Sequence, residues 1–319
     1  MTSPAEQSPA AASDTPVPFG DVLATRVAQR ESQLVLGVDP DPTALWPGLD
    51  DRPARSAPPL ADPVASAVLA HCTALIDAAA ATCVAIKPQL ACFERLGHAG
   101  RMVLGAVLEH ARQAGLLVIA DGKRGDIDVS ARAYAEALYG GVETPFGAVA
   151  GLGVDAATVN PLMGRDALEP FVSAARARGA GVLALVRTSN PGAADVQDLE
   201  LAGGGAVWER LAGIVEQLGR PGIGARGLSD VGAVVGATEP AHLARARELM
   251  PNAVLLLPGV GAQGGRVQEL APAFSIGPAG GLVSASRSIA GAYRDRGGDP
   301  AVAARAEAER LRALAWELA

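Results

Sequence analysis

The sequence predicts a single (β/α)8 barrel of the TIM type, and three observations carry that prediction. Eight short apolar runs rich in Val, Leu and Ile recur along the chain. Ala-rich stretches with helical spacing separate them, an alternation that implies a parallel sheet with crossover helices. The runs are almost continuously apolar, as strands covered on both faces must be, and together they extend over about 250 residues, the usual size of such a barrel.

The runs are QLVLGVD (33–39), CVAIKPQ (83–89), LLVIADGK (116–123), AATVNPL (156–162), GVLALVRTS (181–189), VGAVVGAT (231–238), AVLLLPGV (253–260) and GLVSASR (281–287). A helix expected over 19–32 precedes the first strand and closes the bottom of the barrel. A Pro-rich loop, 46–63, follows the first strand, and a polar loop, 189–205, follows the fifth. Loops of that length in a compact domain are often lids or binding loops. The last helix starts near Ser288 and breaks at RGGDP (296–300). Residues 1–17 are rich in Pro, Ala and Ser and read as a disordered leader, which leaves 18–319 as the barrel domain.

The chain has 319 residues, of which 49% are hydrophobic and only 3% aromatic, so Ala, Val and Leu must fill the core. A net charge of −7 argues against a nucleic-acid partner bound through a basic surface. It leaves room for a local anion site. The three cysteines (Cys72, Cys83, Cys92) form no CxxC pair, and the four histidines are scattered without metal-ligand spacing. They read as reduced core thiols and structural histidines. No apolar run reaches the roughly 20 residues that span a bilayer, and the N-terminus lacks a basic start and an apolar centre. The expectation is a soluble, cytoplasmic protein with no membrane partner.

Nearly every proposed strand ends in a polar residue. Asp39 ends the first, Lys87 the second, Asp121 and Lys123 the third, and Asn160 the fourth. Thr188 and Ser189 end the fifth, Thr238 the sixth and Arg287 the eighth. Barrel active sites lie at the C-terminal ends of strands, so these groups are expected to meet at one mouth. Asp121 and Lys123 are two apart, which on a regular strand puts them on one face, with Lys87 beside Asp121 from the neighbouring strand. Asp126 falls past the turn and is expected to point away from its own barrel centre. In LLLPGVGAQGG (255–265), Gly259, Gly261, Gly264 and Gly265 flank Gln263. Glycines let backbone N–H groups turn towards an anion, Arg287 can add a bidentate contact, and the loops after strands seven and eight are the usual phosphate site of this barrel. The bland alternatives are a salt-bridged cluster that only closes the barrel and an ordinary glycine turn.

Taken together, these residues resemble the orotidine 5′-phosphate decarboxylase family. Asp121-Gly-Lys123-Arg-Gly-Asp126-Ile127 matches its D-x-K-x-x-D-I signature, and Lys87 completes a Lys-Asp-Lys-Asp tetrad. LGVDPDP (36–42) resembles the first-strand motif, SNPGA (189–193) the loop over the pyrimidine, and PGVGAQGG (258–265) with SRSI (286–289) the phosphate-gripping segments. The resemblance spans roughly 19–290. KPQLACFERLG and KRGDI look most like the longer bacterial branch, type 2. Ser130 stands where the family usually has a Thr, so the hydroxyl is kept.

The resemblance implies decarboxylation of orotidine 5′-monophosphate to UMP in pyrimidine biosynthesis, with no metal and no organic cofactor. It implies Lys87, Asp121, Lys123 and Asp126 as the catalytic set. Asp39, Ser130, Asn160, Thr188, Ser189, Gly259, Gly261, Gln263 and Arg287 would bind the substrate. It also implies a homodimer in which Asp126 serves the neighbouring subunit's site. Two other readings remain. One is a metal-dependent sugar-phosphate decarboxylase or aldolase on the same barrel; those enzymes carry an acid where this chain has Lys87. The other is a catalytically dead phosphate-ligand binder.

Overall fold

The structure, a computed structural model, describes residues 16–49, 62–260 and 264–319. Eight parallel strands close into a barrel: β1 (Leu34–Val38), β2 (Ala85–Pro88), β3 (Leu117–Arg124), β4 (Ala156–Val159), β5 (Gly181–Arg187), β6 (Val231–Val235), β7 (Leu255–Leu257) and β8 (Gly281–Ala285). Around the barrel they run in sequence order, and β8 pairs with β1 to complete the ring. Every strand expected from the sequence is present, seven of them within the predicted run and β3 running one residue past it, to Arg124.

Side chains of one strand serve two cores, as a period of two requires. On β1, Leu34, Leu36 and Val38 face outwards into the layer of helices. Val35 faces inwards and meets Ile119, Leu183, Val234 and Leu256 from the other strands. The lower interior is therefore apolar. The helix Phe19–Arg30 plugs it with Phe19, Leu23 and Val27, as expected for a bottom-closing helix. The C-terminal segment forms three helices, Arg287–Ala290, Ala292–Arg296 and Pro300–Trp316. The long one starts where Asp299 caps the N–H groups of Ala301 and Val302, and the expected break falls between the second and third.

Cys72 and Cys83 are fully buried, and burial raises both thiols, so neither is poised as a thiolate. Burial pushes His71 down to about 4, and its Nδ1 accepts the Trp46 N–H at 3.2 Å. It is a neutral core histidine. Among the described residues no helix is long and apolar enough to cross a membrane. A two-stranded hairpin, Val142–Thr144 with Gly147–Val149, is an addition that the sequence reading did not contain. The expected leader falls mostly on residues 1–15, and the Pro-rich loop mostly on 50–61, both outside the described residues.

Candidate active site

The polar strand ends converge on a cavity of about 610 Å3. Asp39, Lys87, Asp121, Lys123, Asn160, Thr188, Ser189, Gly259 and Arg287 all line it. Lys87 and Asp121 are nearly buried, at 7% and 6% exposure, whereas the Lys123 side chain is 43% exposed and stands in the open space.

Asp121 is the hub. Its Oδ2 accepts from Lys87 Nζ at 2.6 Å and from Gln89 Nε2 at 3.2 Å. Its Oδ1 accepts from Lys123 Nζ, and from Thr158 Oγ1 at 2.9 Å. Burial alone would raise this carboxyl, but the two flanking ammonium groups outweigh it and hold the pKa at about 2. For Lys87, burial works towards the neutral amine, and the negative charges of Asp121 and Asp39 more than offset it, so its pKa rises. Asp121 is thus held ionised and Lys87 protonated, side by side on a nearly buried floor.

This has a consequence in acid. The folded pKa of Asp121 lies below the ordinary carboxylate value of 3.8, so the ionised group stabilises the fold above about pH 4. That contribution is lost as the pH falls towards 2, and amounts to about 2 kcal/mol. Urea unfolding of the wild type and Asp121→Asn between pH 2 and 7 should show their stability gap largest above pH 4 and shrinking below it. A gap independent of pH would contradict the assignment.

The backbone at β3 departs from a regular strand. Ala120 pairs with Ala157 and the next registered pair is Arg124 with Val159, so Asp121–Lys123 bulge opposite the single residue Thr158. Lys123 adopts a left-handed φ of +48°. The simple two-residue alternation therefore does not explain why Asp121 and Lys123 meet. The bulge does, and bulges often re-aim side chains at active sites.

Glycines set two of the close approaches around the mouth. A Cβ on Gly37 would lie 2.5 Å from Ser286 Cβ; without it the end of β8 closes in and Ser286 Oγ donates to Asp39 Oδ2 at 2.7 Å. Gly259 takes φ +100°, and its carbonyl accepts the Gly265 N–H at 3.1 Å. Arg287, beside it, is exposed and has no ion pair among the described residues. Across the mouth, Arg187 grips Asp198 through two hydrogen bonds of 2.7 and 2.8 Å, and the Thr188 N–H donates to Gln197 Oε1 at 2.8 Å. These contacts anchor the loop after β5.

Thr238, expected at the mouth from the end of the sixth strand, does not line the cavity, and four expected site residues are not in this arrangement either. Gly261 and Gln263 lie outside the described residues. Asp126 and Ser130 do not line their own chain's cavity. Asp126 follows the end of β3, with its Oδ1 accepting the Ile127 N–H at 2.8 Å. Ser130 is exposed on the first turn of the helix Asp128–Ala135. Ser130 was expected beside the substrate with no subunit specified, and within one barrel it is not there, because the helix start carries it outside. Conversely, the sequence reading overlooked Thr158 and Gln89, which both hydrogen-bond Asp121, and Ser284, which lines the cavity; Ser286, inside the SRSI segment, lines it too. A usable signal existed: Thr158 lies one side-chain period before Asn160, and Ser284 one period before Ser286.

A profile of the Orotidine 5'-phosphate decarboxylase / HUMPS family matches residues 32–306. The chain belongs to that family. A protein of Rhodopirellula baltica named orotidine 5'-phosphate decarboxylase is 42% identical over 279 residues, covering 86% of this chain and 89% of its own length. The structure of Leishmania donovani OMP decarboxylase superposes with a TM-score of 0.66 at 31% identity, over 94% of this chain and 99% of that one. The structure of Leishmania donovani UMP synthase gives a TM-score of 0.68 at 33% identity. This chain covers 57% of that longer protein. The match to the decarboxylase family runs from β1 into the last helix and so includes every strand end that lines the cavity.

Proposed function

We propose that the cavity binds orotidine 5′-monophosphate with C6 of the pyrimidine over the Lys123 ammonium, and that this chain releases CO2 from it to give UMP. The activity is that of its family, an orotidine 5′-phosphate decarboxylase, a carboxy-lyase of pyrimidine biosynthesis. The observation that carries the assignment of roles is the Lys87–Asp121–Lys123 array on the cavity floor.

In the reaction the C6–carboxylate bond breaks and its electron pair stays on C6. The ring offers that pair little resonance help. Lys123 supplies a fixed cation at the developing charge, then gives a proton from Nζ to C6. Solvent returns the proton to the amine. Asp121 holds Lys123 in place and lies near the departing carboxylate. Lys87 keeps Asp121 ionised and reaches the ribose, whose hydroxyls also meet Asp39. Asn160, Thr188 and Ser189 serve the base edge. Gly259, Gly261, Gln263 and Arg287 hold the phosphate, and that remote binding energy draws the loops after β5 and β7 over the ring.

The donor set does not suit a divalent metal. Among the described residues no three His, Cys, Asp or Glu side chains converge, and ammonium groups lie against both Asp121 oxygens.

Asp126 and Ser130 enter from a second copy in this reading. Asp126 sits among exposed apolar residues: Ile127 (49% exposed), Val129 (78%), Leu162 (68%) and Met163 (45%). A Cβ on Gly125 would lie 3.4 Å from Met163 Cε, so the two segments are neighbours. A patch of this kind marks a protein interface, and a twofold dimer across it brings Asp126 to the partner's mouth.

The test is the ultraviolet absorbance of orotidine 5′-monophosphate after exhaustive EDTA treatment of the enzyme. Metal-free loss of the substrate chromophore is expected. No turnover until magnesium is restored would overturn the metal-free reading.

A further inference from the structure

We propose that Thr158 is a positioning residue that fixes Lys123 for proton delivery. The proposal rests on the reading of Lys123 as the proton donor. The β3 bulge sets three residues, Asp121 to Lys123, against Thr158 alone. A bulge takes backbone N–H groups out of the ladder, and a buried N–H without an acceptor is costly. The Lys123 N–H is satisfied by Thr158 Oγ1 at 3.0 Å. The same hydroxyl donates to Asp121 Oδ1 at 2.9 Å, the oxygen that also takes the Lys123 ammonium. One side chain, 1% exposed, thus ties both the backbone of Lys123 and the carboxylate that holds its charged end.

This linkage matters because Lys123 is in the left-handed region at φ +48°. A lysine there is strained, and such strain persists only where the surroundings over-determine it. The Thr158 hydroxyl is a determinant on the backbone side. Asp121 itself keeps Lys87 and Gln89 without Thr158, so its charge survives the loss of the hydroxyl. What is lost is the aim of Lys123. A misplacement of about 1 Å costs on the order of 100-fold in rate.

The experiment compares kcat, KM and UMP affinity, per folded site, for wild type, Thr158→Val, Thr158→Ser and Lys123→Ala. Thr158→Val keeps the shape and removes the hydroxyl. Its kcat is expected to fall by about 100-fold, with KM and UMP affinity within about threefold of wild type. Thr158→Ser restores most of kcat. If Thr158→Val does not accumulate as folded protein, Thr158→Ala against Thr158→Ser carries the same comparison. A valine variant with nearly wild-type kcat, or serine and valine variants equally impaired, would overturn the positioning role while Lys123→Ala remained inactive. Turnover by Lys123→Ala would instead remove the reading of Lys123, and this proposal with it.

Discussion

Lys123→Ala should lose decarboxylation by at least about 10⁴-fold in kcat, because in the proposed mechanism one side chain supplies both the cation facing C6 and the proton, and each is worth orders of magnitude. The fold should survive the change. The Lys123 side chain is 43% exposed, and Asp121 keeps donors from Lys87, Gln89 and Thr158. Binding of UMP should persist, since the groups assigned to the phosphate lie at the ends of β7 and β8, away from the substitution. Lys123→Arg should fare little better: a guanidinium keeps its charge but does not give up a proton near neutral pH. Steady-state ultraviolet assays beside circular dichroism and UMP titration separate these effects. An alanine variant that retained substantial turnover would show that the proton reaches C6 by another route.

The same neighbourhood explains what could and could not be read from sequence. The eight strands were legible because each is buried on both faces and so has to be apolar. Leu34–Val38 and Val231–Val235 show this most plainly, buried at every position. Apart from β3, whose bulge carries it one residue further, to Arg124, predicted ends ran long because the polar residues that follow carry on along the barrel after the ladder stops. Asn160 still donates its N–H to the Arg124 carbonyl at 2.7 Å although β4 ends at Val159. Charged residues stood out because charge inside a core demands a partner. Thr158 and Gln89 escaped notice because a neutral hydroxyl or amide in a strand makes no such demand. The bulge was invisible for a different reason. Its positive φ falls on Lys123, while the neighbouring Gly122 is not among the glycines with positive φ. Sequence patterns assign unusual backbone to glycine, and here functional placement overrides propensity. The hairpin at 142–149 has three-residue strands with mostly exposed faces, too short and too little buried for periodicity to register.

Asp126 sets the second large effect, which a mixture of two inactive variants should reveal. Lys123→Ala and Asp126→Asn are each expected near background. Asp126 does not line its own cavity, and of the apolar residues around it Ile127 is 49% and Val129 78% exposed. If Asp126 acts across a twofold interface, a mixed dimer of the two variants contains one site with both changes and one site with neither. Co-expression with different affinity tags, followed by sequential purification of the mixed species, should therefore yield about half of wild-type activity per dimer, and an unsorted equal mixture about one quarter. The recovery is a count of intact sites, so kcat per intact site and KM should match the wild type. Were Asp126 to act within its own subunit, every site in the mixed dimer would carry one defect, and activity would stay at the level of the parents. The apolar patch gives an independent handle on the same arrangement. Val129→Glu, at 78% exposure, costs a single chain little but places a charge in the proposed interface. It should shift the assembly towards monomer in analytical ultracentrifugation and take activity down with it, because a monomer would leave Asp126 facing solvent with no site to complete.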